Sequence, residues 1–196
     1  MMTERQKTMI ERITERIESG NIPAWCKPWE SNPKAYPNAI DAPQKVDEIL
    51  NRYYRAEHIQ VAEIEGDRAF YSPANDSIIL PLKRQFMSAE TYAGALAHET
   101  IHSTGDYIRC DRPTFSEFTT FTFGDSKYTR EELVAEIGAC FLLDALGIDT
   151  EHQINNATAY IGNWISQIGN NTRWITKAGD LASDAVDYIL ETAGVE

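Results

Sequence analysis

With 196 residues, 22.2 kDa and 42% hydrophobic side chains, the chain is long enough for one well-buried core with a small appendage and too short for two full domains. Lys and Arg number 18 against 30 Asp and Glu, and the net charge of −12 argues against a protein that holds duplex phosphates by electrostatics alone. Residues 1–57 carry nine basic and nine acidic side chains, so the whole acidic excess lies in 58–196, and the chain divides on composition into these two regions.

The first residues, Met1-Met2-Thr3-Glu4-Arg5, mix charges of both signs and lack an apolar signal core. No uncharged apolar run approaches the ~20 residues that cross a bilayer, so the chain reads as soluble, cytoplasmic and without a membrane partner. Met2, Gln6, Met9, Ile10, Ile13 and Ile17 recur at helical spacing and stop at Ser19-Gly20, which predicts an amphipathic first helix closed by a left-handed glycine. From Asn21 to Pro43 lie five of the eight prolines and two of the four tryptophans, which predicts an extended arm fixed by its rings. Residues 44–57 read as a second helix. Arg68–Tyr71 and Ser77–Leu80 are short apolar runs around Ser72-Pro73-Ala74-Asn75-Asp76, the pattern of two antiparallel strands and a turn.

Beyond Pro81 the pattern is helical. Ser88 is placed to cap a helix ending near Ser103, before Gly105. Residues 106–128 show no clear period and read as a long loop, which in a small domain usually has a task. Thr129-Arg130-Glu131-Glu132 has the form of a capping box, opening a helix that ends near Gly147. Two further helices span about 151–168, with Ile154, Ala157, Ile161, Trp164 and Ile168 on one stripe, and about 172–191. The fold class is α+β: mostly helical with a small antiparallel sheet, plus the short N-terminal helix and proline-rich arm. The three cysteines, Cys26, Cys110 and Cys140, are odd in number and far apart, and they read as reduced thiols without a nucleophilic role.

The decisive chemical feature is His98-Glu99-Thr100-Ile101-His102. On a helix, positions four apart share a face, so both imidazoles can bind one metal ion while Glu99 stands beside the water that ion holds. Thr91, Gly94 and Ala95 leave that face nearly bare, so a second segment can approach it. A catalytic zinc site takes three protein ligands and one open position. Position 108 is Ile, so no third His follows at metzincin spacing, and a carboxylate from another helix is favoured. Glu132 and Glu136 share one face of an otherwise apolar helix, and two carboxylates aimed into such a face need a reason. The favoured assignment makes Glu132 the ligand and Glu136 the acceptor orienting a ligating imidazole, an order that resembles thermolysin-like gluzincins. Two alternatives stay open: Glu132 completes the capping box with Thr129, or Glu136 is itself the third ligand.

One Zn2+ ion so held polarises a carbonyl and activates water, with Glu99 as general base, which is peptide hydrolysis. Tyr128 and Tyr107 are the nearest candidates in sequence to donate to the oxyanion. The strand Ser77–Leu80 offers an edge for an extended peptide substrate. His152 reads as an exposed helix-start residue, and His58 has no visible partner.

From about Phe70 to Leu190 the sequence resembles the metallopeptidase domain of ArdC-type antirestriction proteins and related polyvalent proteins of plasmids and phages. The residues that carry the resemblance are Tyr71-Ser72-Pro73, Asp76–Pro81, Leu96–Gly105, Glu131–Ala139 and Ala159–Ile165. It implies a zincin-like metallopeptidase fold with His98, His102 and Glu132 as metal ligands and Glu99 as base. It also implies a mobile-element origin and a bacterial host. The family's N-terminal domain binds single-stranded DNA, and Gly20–Trp29 resembles its Trp-Pro segment, with Trp25, Lys27 and Trp29 as the possible nucleic-acid contacts. This segment departs from the family in having Ala24 between Pro23 and Trp25, and most of the domain that follows it there has no counterpart here. Two functions therefore compete: a zinc metalloprotease acting on an intracellular protein, and a single-strand-binding antirestriction protein whose metal site is structural or residual. An acidic DNA decoy, suggested by the charge, does not account for Glu99 between two histidines.

Overall fold

The computed structural model describes residues 1–32, 43–118, 126–148, 151–167 and 171–195. Among the described residues seven α-helices and three strands follow in the order α1 (Glu4–Glu18), α2 (Gln44–Glu57), β1 (Gln60–Ile64), β2 (Phe70–Ser72), β3 (Ser77–Pro81), α3 (Ala89–Ser103), α4 (Pro113–Phe118), α5 (Ser126–Ala145), α6 (Glu151–Gln167) and α7 (Arg173–Thr192). The fold is α+β and mostly helical.

Local sequence accounts for most of these boundaries. Thr3 and Gln6 form a capping box at the start of α1, and Gly20 takes φ +72° just past its end. Ser88 accepts from the Thr91 N–H while the Thr91 hydroxyl accepts from the Ser88 N–H, which opens α3 one residue after the cap. His58, at φ 59°, is the left-handed residue that closes α2, and its ring is exposed.

The sheet departs from the expected antiparallel pair. Strands β2 and β3 form the hairpin, turned through Asp76 at φ 45°, but β1 adds to β3 in parallel, giving a mixed sheet in the order β1-β3-β2. Every β1 residue is exposed, so the strand carries no alternation of burial for a sequence pattern to reveal. With both of its edges paired, β3 cannot accept a peptide, which corrects the expectation that Ser77–Leu80 offers a free edge. The outward edge nearest α3 belongs to β2.

Two further corrections concern the segment read as a loop over 106–128. Pro113 opens the short helix α4, where its missing N–H costs nothing, and α5 starts at Ser126, so Thr129 lies inside the helix rather than at its N-cap position. In the first half of the segment, Arg109 is enclosed by Glu57 and Asp76, and Arg112 by Glu131 and the Ile101 carbonyl. Residues 119–125 lie outside the described residues.

One apolar core holds the elements together, and α5 runs through it with every residue from Glu131 to Leu143 buried. Helices α3, α4, α6 and α7 all pack on α5. Gly138 makes the α3–α5 approach possible: a Cβ there would lie 2.8–2.9 Å from the Ile101 side chain. Helix α3 is fixed from the other side by α2, whose Tyr53 and Tyr54 hydroxyls meet Ser103 and Thr100 at 3.0 and 2.6 Å. The apolar faces of α1 (Met9, Ile10, Ile13) and α2 (Val46, Ile49, Leu50) enter this same core, at roughly 1.5–3 kcal/mol per fully buried side chain. Among the described residues no helix is long and apolar enough to cross a membrane.

Candidate metal centre

His98 and His102 lie one turn apart on α3, and their Nε2 atoms stand 3.1 Å from each other. Glu132 reaches them from α5, with Oε2 3.6 Å from His98 Nε2 and Oε1 3.6 Å from His102 Nε2. Ligands held about 2.0–2.1 Å from a tetrahedral zinc ion stand about 3.3 Å apart, so the three donors have the separation one such ion requires. Among the described residues these three form the cluster able to hold a metal ion.

The remaining ring nitrogens face carboxylates. His98 Nδ1 lies 2.9 Å from Glu136 Oε2, and His102 Nδ1 lies 3.4 Å from Glu131 Oε1. Glu136 therefore sits on the side of His98 away from the three-donor cluster, and Glu132 within it. Glu131 is fully enclosed: Arg112 donates to Oε1 at 2.6 Å and Thr114 to Oε2 at 2.6 Å. Glu99, also buried, accepts the Tyr71 N–H at 2.8 Å, a bond that aims one carboxylate oxygen at the outward edge of β2.

The electrostatics are those of an acidic site awaiting a cation. Burial opposes the charged form of both imidazoles, yet Glu132 and Glu136 raise His98 well above its ordinary value, and Glu131 and Glu132 raise His102 to about 9. Burial pushes the Glu131 and Glu132 carboxyls up, but their cationic neighbours outweigh it: Arg112 and His102 hold Glu131 at about 2, and His102 and His98 hold Glu132 lower still. Burial raises Glu99, and the charges of His98 and His102, which act against that rise, do not outweigh it. A divalent ion at the three donors neutralises this arrangement and leaves both imidazoles as neutral ligands.

A cavity of about 220 Å³ opens over the donors, lined by His98, Glu99, His102, Glu132 and Glu136 and walled by side chains from β2, α6 and the arm. Helix α6 contributes Gln153, Asn156 and Tyr160. Gly94 leaves room for the Gln153 amide, which a Cβ there would meet at 2.4 Å. Tyr160 donates to Glu132 Oε2 at 3.1 Å, and burial with the nearby carboxylates keeps its hydroxyl protonated. Sequence reasoning passed over Tyr160 because it followed only the apolar stripe of α6. Gln153, Asn156 and Tyr160 themselves recur at helical spacing, a signal that was available. Glu131 was missed for another reason: one residue away on a helix points to another face, and only the enclosure of α5 brings that face to His102.

Of the other expected site residues, Tyr107 is exposed and away from the cavity, and the Tyr128 side chain lies outside the described residues, as does that of His152. Trp25 and Trp29 both line the cavity. Lys27 pairs with Asp67 beside the Trp29 ring. All three cysteines are free, and none lines the cavity.

Comparison with known proteins adds the following. A family model described as a zincin-like metallopeptidase matches residues 48–181. Two DNA primases TraC of Escherichia coli are 36% identical over 152 residues and 40% identical over 153 residues. These alignments cover 74% and 75% of this chain but only 10% and 14% of the primases. Among solved structures, the antirestriction protein ArdC of plasmid R388 is similar in its Mn(II)-bound form, at 34% identity and a TM-score of 0.55, over 74% of this chain and 51% of ArdC. The metal-free form gives 33% identity and a TM-score of 0.57 over 80% of this chain and 53% of ArdC.

Proposed function

We propose, for a chain that belongs to the zincin-like metallopeptidase family, that it is a zinc-dependent peptidase acting on a protein substrate in the cytoplasm of a bacterial host that carries a mobile element. Residues 58–196 form its metallopeptidase domain and 1–57 an N-terminal region. The observation that carries the reading is the three-donor cluster of His98, His102 and Glu132 with the Glu99 carboxylate at the same cavity. His98, His102 and Glu132 hold one zinc ion, and Glu136 and Glu131 accept from the free nitrogens of the two rings and fix their orientation. The bound ion supplies Lewis acidity toward a carbonyl oxygen and a water molecule.

The chain's own residues do the rest. Glu99, oriented by the Tyr71 N–H, takes the proton of the attacking water and passes it to the leaving amine. Tyr160, a protonated hydroxyl at the cavity, turns its one O–H from Glu132 toward the developing oxyanion, the role that sequence order alone gave to Tyr128. With the outward N–H of Tyr71 held by Glu99, β2 borders an extended substrate through its Phe70 and Tyr71 side chains rather than as a free ladder edge.

Metal analysis of purified protein tests the site, with about one zinc per chain expected and manganese as the competing outcome. Glu99→Gln is then expected to keep the metal and lose cleavage of protein substrates. Retained cleavage in that variant would overturn the assignment of the base.

A second reading is favoured by the likeness to ArdC, which is described as an antirestriction protein: single-stranded DNA bound through the arm, with a structural metal. It predicts that Glu99→Gln protects DNA from restriction as well as the wild type does, and that oligonucleotide binding weakens with salt.

A further inference from the structure

The described part of the arm, residues 21–32, is held at Ile22 and at Glu30 and lies at the mouth of the metal cavity. At its start Ile22 rests on Gly162 of α6, where a Cβ would lie 3.0 Å from the Ile22 side chain. At its end the Glu30 N–H donates to the Gln85 carbonyl at 2.8 Å, and the Gln85 side chain donates back to the Glu30 carbonyl at 2.8 Å. The Met87 N–H reaches the Pro28 carbonyl, and Trp29 packs on Phe86 with ring centroids 5.5 Å apart. Between these anchors Asn156 grips the backbone of Cys26 from both sides, accepting from its N–H and donating to its carbonyl, each at 3.2 Å. A segment so pinned is a fixed wall.

That wall is apolar where it faces the cavity. Trp25, Pro28 and Trp29 line it, opposite Phe70 and Tyr71 of β2 and Tyr160 of α6. Trp25 stands 6.1 Å from Tyr160 between ring centroids, and Tyr160 stands 6.4 Å from His98, so a chain of rings runs from the arm to the metal donors. Yet Trp25 is 51% exposed, leaving much of its ring available to a ligand. Among the described residues no Lys or Arg lines the cavity, and its charged groups are those of the metal centre. Nucleic acid is poorly suited to this mouth: Lys27 is engaged by Asp67, and carboxylates surround the donors. At about 220 Å³ the cavity exceeds the roughly 150 Å³ that accommodates a benzene ring in an apolar protein cavity.

We propose that the arm is the specificity wall of the metal cavity, with Trp25 as its determining residue, so that the site selects a peptide bearing a large apolar or aromatic side chain beside the scissile bond. The proposal rests on the peptidase reading for the word peptide, and on the cavity alone for the side-chain preference. Hydroxamates of phenylalanine, alanine and glutamate, bound to the metal-loaded protein and followed by calorimetry, read that preference without catalysis. Wild type is expected to favour the phenylalanine compound over alanine by about tenfold or more. Trp25→Ala reduces that ratio severalfold with the bound metal unchanged, and Trp25→Arg raises glutamate over alanine. Because Trp25 is half in solvent, both variants are expected to fold, and circular dichroism checks it. Equal affinities in the wild type, or a ratio unaltered in Trp25→Ala, overturn the proposal. If the preference behaves as stated while no protein is cleaved, the wall stands and the peptidase reading falls. If protein is cleaved with no side-chain preference, the reverse holds.

Discussion

The two imidazoles of the metal centre sit one helical turn apart and offer the same nitrogen, yet their surroundings differ. Behind His102, Glu131 is enclosed by Arg112, Thr114 and the ring itself, an ion network that continues to the Ile101 carbonyl. Behind His98, Glu136 lines the cavity and pairs with the His98 ring. The sealed side fixes where the donors stand, because a buried carboxylate and its arginine cannot separate without leaving charge unpaired. The open side admits a ligand. A site that must be both rigid and accessible divides these tasks between its two histidines.

The difference is testable by breaking each side in turn. Arg112→Ala leaves Glu131 buried without its cation, and a loss of roughly 3–5 kcal/mol in folding stability is expected by chemical denaturation. If Glu136→Ala costs as much, the sealed and open sides are not distinct. Glu136→Gln is expected to weaken metal binding by about 10–100-fold in chelator competition while the metal-free protein melts as before, since the loss falls on ring orientation. An unchanged metal affinity would show that His98 needs no orienting acceptor. Asp67→Asn removes the ion pair to Lys27 at the solvent-facing end of the arm, and no measurable change in melting is expected, because an exposed pair contributes little and the Glu30–Gln85 bonds remain. A clear drop in melting temperature would mean that the arm is held by charge rather than by backbone and rings.

Much of this arrangement was legible in the sequence because it depends on spacing within one helix. His98 and His102 must share a face once α3 forms, and Ser88 and Gly20 mark helix ends through their own local chemistry. Tyr128 stands four residues from Glu132 in sequence, whereas it is Tyr160 that reaches that carboxylate, from 28 residues away. The free sheet edge was assigned to β3 because β1, exposed at every position, carries no hydrophobic alternation. Nor could a helical wheel bring Glu131 to His102, since α5 is buried on all sides and its facing surfaces are set by its neighbours.

The sequence by itself determined that two histidines and a glutamate would meet on α3, that an acidic helix segment would have to complement them, and that the negative charge would collect in the second region. Those are consequences of period and composition, which act within a few residues. Only the tertiary structure decided that Glu132 would face both Nε2 atoms while Glu136 and Glu131 took the opposite nitrogens, and that Asn156 would hold Cys26, 130 residues away in the chain, so that Trp25 walls the cavity. Such pairings are set by how closely elements approach, and here Gly138 against Ile101 between two helices and Gly162 against Ile22 of the arm fix those distances through packing that no local pattern records.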